Sequence, residues 1–224
     1  MARTPSPGSA RTSPGRGRPP MTERRREIVR MEIARAAVRL FTEHGVSGTT
    51  GDDIAHALGI STRTLWRYFP TKESCVRPLL TTGLDLVAAS LRSCPPDSSL
   101  LEHLEREGLF GGGTPVMEES VADLIRMTRD EPALMAVWLE VHHAAESVFA
   151  DIIADRTGAP VDGLTVRVQA AALNAALRLA SEEYALRQGG GDPTHGGMAS
   201  LMRTALTTAA RGLPAFERGD RSPR

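Results

Sequence analysis

Between Thr49 and Glu73 the chain reads TTGDDIAHALGISTRTLWRYFPTKE, and three cations, Arg63, Arg67 and Lys72, surround two aromatic side chains, Trp66 and Tyr68. Guanidinium and ammonium groups donate hydrogen bonds and accept none. Such a stretch suits an anionic partner. Lys72 is the only Lys in the chain. It stands at the start of a helical pattern whose free N–H groups and dipole also favour an anion; otherwise it is a solvated surface charge.

These side chains need short helices to aim them. Thr50 can cap a helix, with Asp53 in the third position of an approximate capping box. That helix ends at Leu58-Gly59, where Gly59 supplies the positive φ of a tight turn before Ser61 caps another helix. The second helix, Ser61 to Tyr68, presents Thr62, Arg63, Thr64, Arg67 and Tyr68 and turns Leu65 and Phe69 inward. Ahead of both, a helical face of Ile33, Ala37, Leu40, Phe41 and His44 begins near Thr22 and stops at Gly45. The order of elements fits a helix-turn-helix. Arg63, near a helix N-terminus, is placed to bond O6 and N7 of a guanine, a contact worth about 1–3 kcal/mol of discrimination.

The motif resembles the DNA-binding region of the tetracycline-repressor (TetR) family, with its paired Thr, Asp-Ile-Ala, Gly-apolar-Ser turn and Tyr-Phe-Pro-x-Lys-Glu. Leu40-Phe41-x-Glu43-x-Gly45 extends the likeness. The resemblance implies that Thr50, Tyr68 and Lys72 hold phosphates, which fix register rather than read sequence. It sets Trp66 against the sugar–phosphate backbone; a core aromatic is the other reading for both Trp66 and Tyr68. Two positions depart from the family: Arg63 stands where Gly is common, and Gly51 where an apolar residue is usual. An interior Gly costs about 1 kcal/mol relative to Ala, so Gly51 is expected to loosen its helix.

The formal net charge is +0, yet the charge is unevenly spread. Residues 1–70 hold 12 Arg against 6 acids, whereas residues 71–224 hold 15 basic and 21 acidic side chains. The basic end should face a polyanion. Of the first 20 residues, 15 are Pro, Gly, Ser or Arg, a composition that reads as a disordered basic arm over 1–23. Within it Arg16-Gly17-Arg18-Pro19 resembles an AT-hook core. Arg16 and Arg18 either lie along a narrow minor groove or meet phosphates without choosing bases.

Low aromatic content, 4%, with abundant Ala, Leu, Arg and Glu gives an all-α expectation of about nine helices. The helix-turn-helix domain takes 24–70, a ligand-binding and dimerisation domain 71–213, and a tail 214–224. Longer helices are expected near 72–92, 98–109, 116–129, 132–156, 162–188 and 194–211, punctuated by Pro and Gly. Pro78 should kink the first of them.

Val166, Ala170, Leu173, Leu177, Ala180 and Tyr184 form one seam and Met198, Leu201, Met202, Ala205 and Ala209 another. By the family resemblance these two helices pair with a second subunit's, with Val166, Ala170, Leu173, Leu177, Tyr184, Leu201, Met202 and Ala205 at the interface. Burial within one subunit is the alternative. Met135, Trp138 and His142 share a face that either lines a ligand cavity or is core. His142 and Glu146, one turn apart, form a solvated pair or half of a metal site with no third ligand.

Neither a metal nor a cofactor is expected. Cys75 and Cys94 lack a zinc or disulfide spacing and read as reduced thiols. No apolar run reaches the ~18 residues of a membrane span, and no secretory h-region is present, so a cytoplasmic protein is expected. Nothing matches a nucleophile elbow, a Walker loop or a dinucleotide fingerprint. The resemblance implies a homodimeric repressor that occupies a palindromic operator on double-stranded DNA and is released by a small hydrophobic effector. An activator or ligand-independent regulator is the near alternative, and a helical enzyme with an incidental N-terminal motif the distant one.

Overall fold

The computed structural model describes residues 23–95, 97–108, 119–189 and 197–212. These contain nine α-helices and no strand: α1 (Glu23–His44), α2 (Gly51–Ala57), α3 (Thr62–Tyr68), α4 (Arg77–Ser93), α5 (Leu100–Arg106), α6 (Glu119–Met127), α7 (Pro132–Thr157), α8 (Leu164–Gly189) and α9 (Met198–Ala210). The expected all-α class holds. The basic arm, apart from Glu23 at its edge, lies outside the described residues, as does the tail.

Local chemistry accounts for the boundaries. α1 stops where Gly45 takes φ 76°. Pro78 does not kink a helix, contrary to the expectation from its position. A 3-10 turn, Glu73–Val76, intervenes, and α4 begins at Arg77 with the proline in its first turn. There the missing N–H would have had no partner. Pro132 opens α7 in the same way.

α1 is the hinge of the packing. It buries Ile33, Ala37, Val38 and Phe41 and lies against α2, the 3-10 turn, α4 and α6. Ile54 of α2 and Leu65 of α3 are completely buried beside this face. Burial of each such side chain contributes about 1.5–3 kcal/mol, which holds two seven-residue helices that could not persist alone. Beyond α4, α7 packs on α8, and α8 on both α6 and α9.

Candidate nucleic-acid interface

The segment from Gly45 to Lys72 is pinned by three sets of polar contacts. The hydroxyl of buried Thr49 is shared between the carbonyls of Leu40 (3.1 Å) and Gly45 (2.8 Å). Thr50 caps α2: its Oγ1 accepts from Asp53 N–H at 3.2 Å, and Asp53 accepts from Thr50 N–H at 2.8 Å. The Thr50 hydroxyl and N–H hold the Asp53 carboxyl below its ordinary value of 3.8. Lys72 closes the loop from the far side, donating to the carbonyls of Val46 (2.6 Å) and Thr49 (2.7 Å). Its ammonium also lies 3.9 Å from Glu73.

The turn and α3 follow the residues. Gly59 takes φ 64°, and Ser61 caps α3 by accepting from Thr64 N–H at 3.2 Å. Leu65 and Phe69 point inward and are buried. Arg63 and Arg67 are exposed, while Thr62, Thr64 and Tyr68 are half-buried. Arg63 has no hydrogen-bond or ion-pair partner among the described residues. The Arg67 guanidinium lies 5.5 Å from the centre of the Tyr68 ring. The Thr62 hydroxyl donates to Asp52 at 2.5 Å and so ties α3 to α2.

Three placements change the reading of the sequence. Lys72 is engaged by two backbone carbonyls rather than standing free, so in this arrangement it braces the α1–α2 loop. Trp66 is no core aromatic, being 42% exposed. Gly51 is not interior to α2 but its first residue, and it is buried beneath the Trp66 indole. Thr49, Gly51 and Asp52 therefore belong to the unit although their types alone announce no DNA contact. The paired Thr and the departure at Gly51 were the available signals. Arg16 and Arg18 lie outside the described residues.

In the second region the candidate ligand residues sit in the α7–α8 layer. Trp138 and His142 are buried and Met135 is half-buried. Trp138 donates to Glu182 (2.8 Å), which also accepts from Arg178 (2.8 Å). The Trp138 and His142 rings meet edge to face at 4.1 Å. His142 is not in a solvated pair with Glu146: Asn174 stands between them. Asn174 Nδ2 donates to Glu146 at 3.1 Å, which leaves its Oδ1 to face His142 Nδ1 at 2.8 Å. His142 Nδ1 therefore carries the proton, and Nε2 is a bare acceptor, buried with no donor among the described residues. Burial holds this imidazole below its ordinary value of 6.5. A cleft of about 320 Å³ lies elsewhere, lined by Phe41, Thr42, Gly45 and Val46 of α1 and its loop and by Asp123, Arg126, Met127, Asp130 and Glu131.

The seam on α8 is used within the subunit. Val166, Ala170 and Leu177 are each at most 2% exposed against this chain's own helices, and Met202 of α9 is buried likewise. Leu173, Tyr184, Leu201 and Ala205 are half-buried at the margin of the same core. The spacing found a buried face: Val166, Ala170, Leu177 and Met202 are covered within the subunit, as the alternative reading had it, while Leu173, Tyr184, Leu201 and Ala205 keep part of their surface open. A second apolar stripe, Leu164, Val168, Leu179 and Leu186, is exposed. At 100° per residue these four fall within about 60° of arc, opposite the buried seam.

Comparison with known proteins fits this geometry. Residues 33–79 match the model of bacterial regulatory proteins of the tetR family, and residues 113–214 match that of the MftR C-terminal domain. The transcriptional regulator TcmR of Streptomyces glaucescens is 27% identical over 195 residues, 82% of this chain and 83% of its own. A candidate mycofactocin biosynthesis transcriptional regulator, MftR of Mycobacterium tuberculosis, is 30% identical over 137 residues, covering 60% of this chain and 69% of its own. A crystal structure of a candidate TetR-family regulator from Mesorhizobium loti shares the fold, with TM-score 0.50 at 19% identity over 85% of this chain and 98% of that one. The chain belongs to the tetR family of DNA-binding transcriptional regulators.

Proposed function

We propose that the protein is a homodimeric repressor that works in the cytoplasm, occupies a palindromic operator and is released from it by a small apolar effector. The observation that carries the DNA-binding part is α3: Arg63 and Arg67 exposed, Arg63 without a partner among the described residues, on a helix held from behind by buried Leu65 and by Phe69 at its C-cap. Arg63 reads a base pair in the major groove, while Arg67, Tyr68 and Thr50 meet the backbone and set register. Lys72 acts through the loop it braces.

The dimer is supported by the stripe of Leu164, Val168, Leu179 and Leu186. Four exposed aliphatic side chains on one face of a 26-residue helix make a surface suited to a like surface on a second copy. Two copies of α3 then meet half-sites about 34 Å apart. The effector reading rests on the bare acceptor of His142. A buried lone pair without a donor calls for a partner, and a hydroxyl or N–H on an otherwise apolar molecule would supply it beside Trp138 and Met135.

Selection from a pool of random duplexes tests the main claim. The expected result is enrichment of an inverted repeat with half-sites about one helical turn apart. Retention of unenriched DNA alone would leave a nonspecific binder, and no retention would remove the DNA-binding reading. Reporter expression from the enriched sequence with and without the protein then separates repression from activation.

A further inference from the structure

Gly51 opens α2 and is buried. A Cβ built there would stand 2.1 Å from Trp66 Cζ2 and 2.4 Å from Cη2, well inside contact distance. The blocked atoms belong to the far edge of a fused ring, so relief requires the whole indole to swing away from α2. The backbone does not ask for glycine at this position, because Gly51 is not among the residues with positive φ. What the position requires is the absence of a side chain.

Trp66 is neither buried nor paired. It is 42% exposed, and its Nε1–H has no acceptor among the described residues. One edge of the indole rests on Gly51, while the residue shares α3 with exposed Arg63 and Arg67. Indoles that serve only as filler are buried and find an acceptor for their N–H. An amphipathic ring that is half covered and half open suits a boundary where a polar partner arrives.

We infer that Gly51 is a positioning residue for DNA binding. Its bare Cα is the seat that holds the Trp66 indole across the first turn of α2. The Thr62–Asp52 hydrogen bond is a second tie between the same two helices. Together they set the angle at which α3 is presented, and they leave Trp66 Nε1–H for an acceptor on the DNA backbone. The inference rests on the DNA-binding reading above and adds that Gly51 and Trp66 are a matched pair, each tolerable because of the other.

A double-mutant cycle tests this in a Trp138→Phe background, where Trp66 is the only tryptophan. Propensity alone makes Ala the better residue in a helix, so the seat predicts the opposite sign from intrinsic preference. Gly51→Ala should weaken binding to the duplex selected by the unaltered protein by about 30-fold or more, since a displaced anchor loses more than one contact. It should also shift Trp66 emission with no change in helix content by circular dichroism. In Trp66→Phe, which lacks the two blocked ring atoms, adding Gly51→Ala should change affinity less than about twofold, because the clash that carries the effect is gone and the two sites are coupled.

Equal weakening by Gly51→Ala in both backgrounds, or none in either, overturns the pairing. Should Gly51→Ala fail to fold, a folded Gly51→Ala/Trp66→Phe protein upholds the seat and an unfolded one refutes it. Were no duplex ever selected, the DNA-binding reading would fall, while thermal melting across the same cycle, and Trp66 emission in its two Trp66-bearing members, still judge the seat.

Discussion

The α2–α3 unit and the α7–α8 layer handle polarity in opposite ways. α3 and its C-cap bury only apolar side chains, Leu65 and Phe69, and leave Arg63 and Arg67 in water. The α7–α8 layer buries His142 and Asn174 and leaves Leu164, Val168 and Leu179 exposed. Each exposed set is what a different partner wants: a polyanion for the first, an apolar surface for the second. Each buried set also has its own consequence. α3 is backed by apolar side chains, whereas the mostly apolar α7–α8 layer also carries directed hydrogen bonds through Asn174 and keeps one acceptor without a donor among the described residues.

The largest test of this contrast uses two residues of α8 separated by a single position. Leu177 is 2% exposed and Leu179 is 53% exposed. Leu177→Glu should destabilise the fold by several kcal/mol, because an unpaired charge enters the core. Thermal melting checks it. Leu179→Glu should melt as the unaltered chain does after allowance for dimer dissociation, yet run as a monomer in light scattering. A stable dimer carrying Leu179→Glu would move the interface off this stripe.

Lys72 sharpens the first half of the comparison. Lys72→Met keeps the aliphatic stem and removes a charged donor from two carbonyls, which should lower stability by about 2 kcal/mol. Because the ammonium is held inside the loop, the salt dependence of DNA binding should stay unchanged. Flattening of that slope by about one unit would return Lys72 to a direct phosphate contact.

A smaller effect is expected from His142. Desolvation lowers its pKa in the folded protein, so on acidification the unfolded chain takes up the proton first. Its contribution is therefore full above the ordinary value of 6.5 and is lost as pH falls from there through the lowered value. Denaturant unfolding at pH 7.5 and 5.5, arbitrary points about one unit either side of that value, should show a decline that His142→Gln diminishes. An identical decline in the variant would assign it to other groups.

The sequence revealed the parts of the interface whose signals are local. The Thr50–Asp53 box, the Gly59 turn and the Ser61 cap each lie within a few residues of their partners, and each took its expected place. Long-range contacts were hidden. The carbonyls that hold Lys72 lie 26 and 23 residues earlier in the chain, and no spacing rule links them. Gly51 read as a defect because its compensation, the Trp66 ring, lies on the next helix. On α8 the 4,3 spacing identified a buried face correctly, but periodicity does not say whose helix covers it. The exposed stripe opposite was equally present in the letters. Pro78 misled because a helix start at Arg77 was not separable from one at Lys72 by pattern alone.

The most direct test of the central claim is a comparison of unaltered protein and Arg63→Ala on the selected duplex and on a scrambled duplex of equal length, at several salt concentrations. A loss of about 5- to 150-fold is expected on the selected duplex, the equivalent of about 1–3 kcal/mol. Affinity for the scrambled duplex should be nearly unchanged. Equal losses on both duplexes would contradict it, making Arg63 one more phosphate contact and leaving α3 without its reader of sequence.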